Sequence, residues 1–120
     1  MPEILLDDET LPLWVRIEEC MRMLDVALAE AKRRGAEMVL SEARYYTAKA
    51  DESMELLSAG YANTFIQTVI KGRPRVSEAM AKYHADEVEY KNACEAIQVF
   101  KKKLDTMREE YAREWGKERQ

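Results

Sequence analysis

The second half of the chain carries a large apolar residue at every seventh position, and this spacing restricts the fold more than any other feature. Seven-residue spacing is typical of a helix that packs lengthwise against another helix. A second set, three residues further on, is apolar except for Asp86. The two sets are Val76, Tyr83, Tyr90, Ile97, Leu104 and Tyr111, and Ala79, Asp86, Ala93, Phe100 and Met107. They predict a helix over about residues 76–116, about 60 Å long at 1.5 Å per residue.

The first half predicts an even longer helix over about residues 11–70. No proline occurs after Pro12 until Pro74, and Ala, Leu, Glu, Lys and Met, all good helix formers, dominate. Apolar residues recur at helical spacing, with Ile17, Leu24 and Leu28 among them. Thr10 is the expected N-cap, with Pro12 in the first turn, where its missing N–H costs nothing.

Residues 1–10 are predicted to be an N-terminal arm. Residues 1–9 contain four acidic residues and no Lys or Arg, which accounts for the whole net charge of −4. The apolar triplet Ile4-Leu5-Leu6 either docks on a neighbouring surface or is disordered. From residue 10 onward 19 basic and 19 acidic residues balance, unlike a general nucleic-acid binder, which carries a net basic face.

The segment at residues 71–75 is predicted to be the turn between the two helices. Gly72 tolerates a positive φ angle, and Pro74 cannot continue a preceding helix. One interpretation is a polar turn only, and the other is a tip that contacts phosphate groups. The candidate nucleic-acid contacts are Lys71, Arg73, Arg75, Lys101, Lys102 and Lys103.

These patterns predict an all-α fold: a single-domain, coiled-coil-like, antiparallel helical hairpin over residues 11–120. A turn at 71–75 leaves roughly 20 residues at the start of helix 1 without a partner helix, an apolar stripe unstable in water. Either helix 1 stays straight and the overhang packs on another subunit, or the chain breaks at Gly35 and residues 13–34 fold back as a third helix. Both solutions leave a thin core, so we expect a homo-oligomer, a dimer or a larger helical bundle. The predicted seam of core and oligomer contacts is Val76, Tyr83, Tyr90, Ile97, Phe100, Leu104, Met107, Tyr111, Ile17, Leu24 and Leu28.

No residue pattern indicates catalysis, a metal or a cofactor. His84 is the only histidine, and its H-x-x-E pair with Glu87 lacks the carboxylate that a di-iron helix needs, since position 81 is Ala. Cys20 and Cys94 have no C-x-x-C spacing and are expected to be reduced. No apolar run approaches the roughly 20 residues of a membrane span. We therefore expect a cytoplasmic, non-enzymatic protein.

Short patterns in the middle of the chain resemble small helical-hairpin proteins encoded by bacteriophages and prophages, often beside recombination and single-strand-binding genes. The resemblance covers about residues 40–115. The patterns are Tyr45-Tyr46, Ala48-Lys49, Lys71-Gly72, and Val76 with Glu78 and Ala81. This chain departs from them at 73–75, where it has Arg-Pro-Arg in place of a usual Lys-Thr pair. The resemblance implies a cytoplasmic phage accessory role, near DNA recombination, and carries no catalytic residues.

Two functions are consistent with these observations. The first is an oligomeric helical scaffold that binds an unidentified protein partner through a bundle face or the N-terminal arm. The second is a nucleic-acid-binding accessory of recombination or replication that uses the basic turn.

Overall fold

The computed structural model describes residues 6–118, and the side chains of residues 6–116. These residues form three helices, α1 (Leu13–Ser58), α2 (Asn63–Val69) and α3 (Pro74–Glu118), with a 3-10 turn (Ile70–Gly72) before α3. Leu6 and Asp7 are also helical. Within this part of the chain there is no strand, and the predicted all-α helical hairpin is confirmed.

Helix α1 begins after a short turn that differs from the predicted cap. The Asp8 carboxylate accepts hydrogen bonds from the backbone N–H of Thr10 (2.9 Å) and from its hydroxyl (2.5 Å). The Pro12 carbonyl accepts the N–H groups of Val15 (3.1 Å) and Arg16 (3.2 Å). Thr10 is therefore occupied by the turn, and Pro12 is the residue at the N-cap. Ile4 and Leu5 of the predicted arm lie outside the described residues.

Helix α1 continues without a break through Gly35, so the alternative with a third helix over residues 13–34 is wrong. A Cβ atom at this glycine would lie 3.1 Å from Cε2 and 3.4 Å from Cδ2 of the Tyr90 ring. Gly35 therefore permits the close approach of an aromatic ring from α3 and does not end the helix.

Helix α1 ends well before the predicted boundary because of a glycine in the left-handed region. Gly60 has φ +92°. Its N–H donates to the Leu57 carbonyl (3.0 Å), and the Tyr61 N–H donates to the Leu56 carbonyl (3.2 Å). These two bonds form a Schellman motif, which satisfies the last carbonyls of the helix. The prediction of one helix over residues 11–70 is therefore wrong beyond the Schellman motif.

The segment predicted to be the turn contains the second bend of the chain, through Gly72 and Arg73, and then the start of α3. The Arg73 carbonyl accepts the Ser77 N–H (2.8 Å). Pro74 occupies the first helical position, where its missing N–H costs nothing. Among the described residues Gly60 alone has a positive φ, so the role predicted for Gly72 is wrong. The chain reverses through two successive bends with α2 between them.

The chain divides into two compact units, which we call the terminal unit (Met1–Ala31 with Asn92–Gln120) and the turn unit (Lys32–Lys91). In the terminal unit the two helices run antiparallel: Cys20 lies against Phe100, and Leu13 lines a cavity with Tyr111. Its buried core is Leu6, Leu13, Cys20, Met23, Ala27, Ala31, Ile97, Phe100, Leu104 and Met107.

The turn unit is also an antiparallel pair, closed at one end by α2. Tyr45 and Tyr83 have ring centroids 6.2 Å apart. Ile66 and Ile70, each 1% exposed, pack with Val76, which is fully buried. The rest of this core is Tyr45, Ala48 and Leu56. Residues of α2 that were predicted to extend helix 1 therefore cover the end of the pair.

Candidate functional site

The predicted seam lies mainly inside the chain. Its buried members are Val76, Ile97, Phe100, Leu104 and Met107, and its half-buried members are Tyr83, Tyr90, Ile17 and Leu24. Ile17 and Leu24 pack on the core of the terminal unit, so the predicted overhang is wrong. The overhang is absent because α1 ends early, at Gly60, and α3 therefore pairs with the start of α1.

Two seam residues, Leu28 and Tyr111, are exposed in the single chain, so they do not belong to its core, and the oligomer contact predicted for them stays a prediction. Leu28 is 45% exposed because the buried Ala27 and Ala31 define the core-facing side of α1, and a neighbouring position points about 100° away. Tyr111 is 38% exposed and packs edge-on against Trp115, with ring centroids 6.4 Å apart.

A carboxylate is buried between the helices of the turn unit. Asp86 is 5% exposed, and its Oδ1 accepts a hydrogen bond from Lys82 Nζ (2.8 Å). That bond lowers the pKa of Asp86 although burial opposes the change, and the nearby Ser41 hydroxyl and the charge of Arg34 act in the same direction as the bond. Asp86 is the one polar member of the predicted heptad sets, and it remains ionised at neutral pH.

The arginines of the predicted phosphate-contacting tip are engaged in ion pairs with α1. Arg73 donates from Nε (3.1 Å) and Nη2 (2.8 Å) to Glu52 Oε2. It also lies 3.6 Å from Glu55, and Arg75 donates to Asp51 (2.9 Å). The hydrogen bond from Arg73 lowers the pKa of Glu52. These side chains tie the start of α3 to the end of α1, and Lys71 is exposed beside them.

Acidic side chains lie among the lysines of the second predicted basic cluster, residues 101–103. Lys101 and Lys102 are exposed and Lys103 is half-buried. Lys102 and Lys103 line a cavity of about 510 Å³ in the terminal unit together with Asp7, Glu9, Arg16 and Glu110. Mixed charge of this kind does not provide the continuous basic surface that a phosphate backbone requires.

The two cysteines and the histidine lie in surroundings that fit structural roles. Cys20 is fully buried, its Sγ donates to the Phe100 carbonyl (3.4 Å), and burial raises the pKa of the thiol. Cys94 is half-buried, and both cysteines are free thiols. His84 is exposed and stacks on Tyr83, with ring centroids 5.6 Å apart. No group of three or more potential metal-ligating side chains occurs within the described chain.

The feature that the sequence patterns did not identify is the amount of exposed apolar surface on α1 of the turn unit. Val39 is 62%, Leu40 57%, Tyr46 57%, Met54 63% and Leu57 48% exposed. A second seven-residue spacing, offset from the buried one, contains Leu40 and Met54 and was the available signal. Alanines at neighbouring positions weaken that signal.

Comparison with protein-family models, with curated proteins and with solved structures finds no match. The resemblance to phage hairpin proteins therefore stays a prediction. Of the helices described, none has the length and apolar content needed to span a membrane.

Proposed function

We propose that this protein is a non-enzymatic helical interaction module that self-associates and holds a partner protein. The observation that carries the proposal is the set of large apolar side chains exposed on α1 of the turn unit, among which Val39, Leu40 and Met54 are each more than half exposed. Monomeric proteins rarely expose a contiguous apolar patch larger than a few hundred Å², and larger patches mark interaction sites.

The chemistry of the exposed surface supports the same proposal. Large apolar side chains are exposed in both units, including Trp14 and Trp115 in the terminal unit and Phe65 in the turn unit. Burial of one such side chain contributes about 1.5–3 kcal/mol, so a few of them at one contact stabilise an assembly. Aromatic residues are also the side chains that protein interfaces favour most.

Sedimentation equilibrium of the full chain tests self-association. We expect a mass of at least twice 14.0 kDa at micromolar concentration. If the protein stays a monomer at every concentration up to about 100 µM, its free energy of association is weaker than about −5 kcal/mol, and the proposal is refuted. The partner protein is sought separately, by pull-down from the native host. The resemblance to phage proteins suggests a cytoplasmic accessory role in that host.

Nucleic-acid binding is the alternative, and the ion pairs of Arg73 and Arg75 work against it. Fluorescence anisotropy with single- and double-stranded DNA at low salt decides between the two. We expect no binding that depends on these side chains, because each already pairs with a carboxylate. Tight binding that is lost in Arg73→Ala/Arg75→Ala, but not in Lys49→Ala, would establish the alternative.

A further inference from the structure

Helix α1 of the turn unit has two seams on opposite sides. The inner seam faces α3 and includes the buried Ser41, Tyr45 and Ala48. The outer seam alternates steps of four and three residues, and every member is exposed. Its members, which we call the outer face, are Ala36, Leu40, Ala43, Thr47, Ala50, Met54 and Leu57. Such spacing over about 32 Å is the pattern that buries a helix against a second one.

The outer face consists of two rows of residues. One row is Ala36, Ala43, Ala50 and Leu57, and the other is Leu40, Thr47 and Met54. In an antiparallel helix pair, each position of one row faces a position of the other row. Met54 can then lie opposite an alanine and fill that layer, whereas a parallel pair sets alanine against alanine and leaves gaps.

A groove lies beside this face and matches a side chain on it. The groove has a volume of about 420 Å³; Leu40, Ala43, Arg44, Thr47 and Ala48 of α1 line one side, and Arg75 and Ala79 of α3 line the other. The first four of these positions, spaced by three, four and seven, are the ones that form a hole for a knob from a facing helix. Met54 is 63% exposed and flexible enough to fill an irregular apolar gap.

The charges that flank the outer face are self-complementary. Arg44 and Asp51 are seven residues apart, on the same edge of the face, and both are exposed. An antiparallel pair centred between Thr47 and Ala50 brings Arg44 of each copy to within two residues of the level of Asp51 of the other, about 3 Å along the axis, where Arg44 would share the carboxylate with Arg75. The same register sets Ala43 opposite Met54, Leu40 opposite Leu57 and Thr47 opposite Ala50.

We propose that the outer face is a homodimer interface, in which two copies pair antiparallel about a centre between Thr47 and Ala50. Met54 of each copy fills the groove at Ala43 of the other. This inference rests on the proposed self-association and specifies its surface, its symmetry and its register. The second copy is favoured as the occupant because both the charges and the groove are complementary to the face itself.

Sedimentation equilibrium of Ala43→Glu, with Ala81→Glu as the matched control, tests the surface. Both alanines are exposed in helices of the turn unit, so both variants should keep the helicity of the parent protein. We expect Ala43→Glu to raise the dimer dissociation constant at least about 100-fold, because two unpaired carboxylates would be buried per dimer. The control should stay within about threefold.

Charge reversal tests the register. Arg44→Asp alone and Asp51→Arg alone each place like charges together and should weaken the dimer about 10-fold, whereas an equimolar mixture of the two variants should form a heterodimer. Asp51→Arg also removes the pair with Arg75 within the chain, so Arg75→Ala, which removes that pair alone, is its control. A dimer unaffected by Ala43→Glu would overturn this inference and leave self-association intact. A heterodimer no tighter than either variant alone would overturn the antiparallel register, and a monomeric parent protein would overturn both proposals.

Discussion

Replacing Gly60 with alanine tests whether the chain reverses at the Schellman motif. The backbone of Gly60 has φ +92°, a region that residues with a Cβ atom enter only at a cost. No heavy atom lies within 4 Å of the position that the new Cβ would occupy. The expected effect is therefore one of backbone conformation alone, without a packing contribution.

The magnitude follows from two opposing terms. The left-handed conformation costs an alanine about 1–2 kcal/mol. Alanine also reduces the conformational entropy of the unfolded chain relative to glycine, which stabilises the fold by about 0.4–1 kcal/mol. We expect Gly60→Ala to lower the free energy of unfolding by about 1 kcal/mol net, after those terms are combined.

Gly72→Ala is the matched control, because its Cβ also meets open space and its φ is not positive. It should be neutral or raise the free energy of unfolding by up to about 1 kcal/mol. Urea denaturation followed by circular dichroism, at one fixed protein concentration, measures both variants. Equal stability changes in the two variants would refute the assignment of the bend to Gly60.

The remaining predictions concern the core, a buried charge and the thiols. Ile66→Ala should lower the free energy of unfolding by about 2–4 kcal/mol, because Ile66 is 1% exposed; a loss below about 1 kcal/mol in urea denaturation would contradict its place in the core. The lowered pKa of Asp86 stabilises the fold fully above the ordinary aspartate pKa of about 3.9, and this stability is lost as pH falls through the folded-state pKa. Asp86→Asn should therefore flatten the stability decline below about pH 4, and an unchanged slope in denaturant titrations would refute this. A thiol reagent should label Cys94 in the native protein and Cys20 only after unfolding, since Cys20 is fully buried; equal labelling rates, measured by mass spectrometry, would argue against the terminal-unit core.

The helical fold could be predicted because its signals are local and repeated. Val76, Ile97 and Leu104 belong to one seven-residue spacing, and all three are buried. The position of the bend could not be predicted in the same way. Gly35, Gly60 and Gly72 all interrupt runs of helix formers, and only their tertiary contacts distinguish them. An aromatic ring packs over Gly35, and the buried residues of α2 follow Gly60.

The candidate surface was harder to predict than the core for a related reason. The sequence predicts Arg73 and Arg75 as candidate phosphate contacts because it does not show their carboxylate partners on α1. Those partners depend on where the two helices meet. The outer face is equally a consequence of pairing, since only the contact with α3 shows which apolar residues of α1 are already used. Leu40 and Met54 become informative once the buried side is known.

Asp86 has a consequence for how the two halves of the turn unit find each other. Seams with seven-residue spacing are nearly degenerate under a shift of one repeat, because apolar side chains meet apolar side chains again. Such a slip would keep Lys82 beside Asp86, because both lie on α3, but it would move the buried carboxylate from the level of Ser41 to that of Ala48, which has no hydroxyl group. A buried polar group that loses a hydrogen-bonding neighbour costs about 1–3 kcal/mol, so the native alignment is favoured over the slipped one.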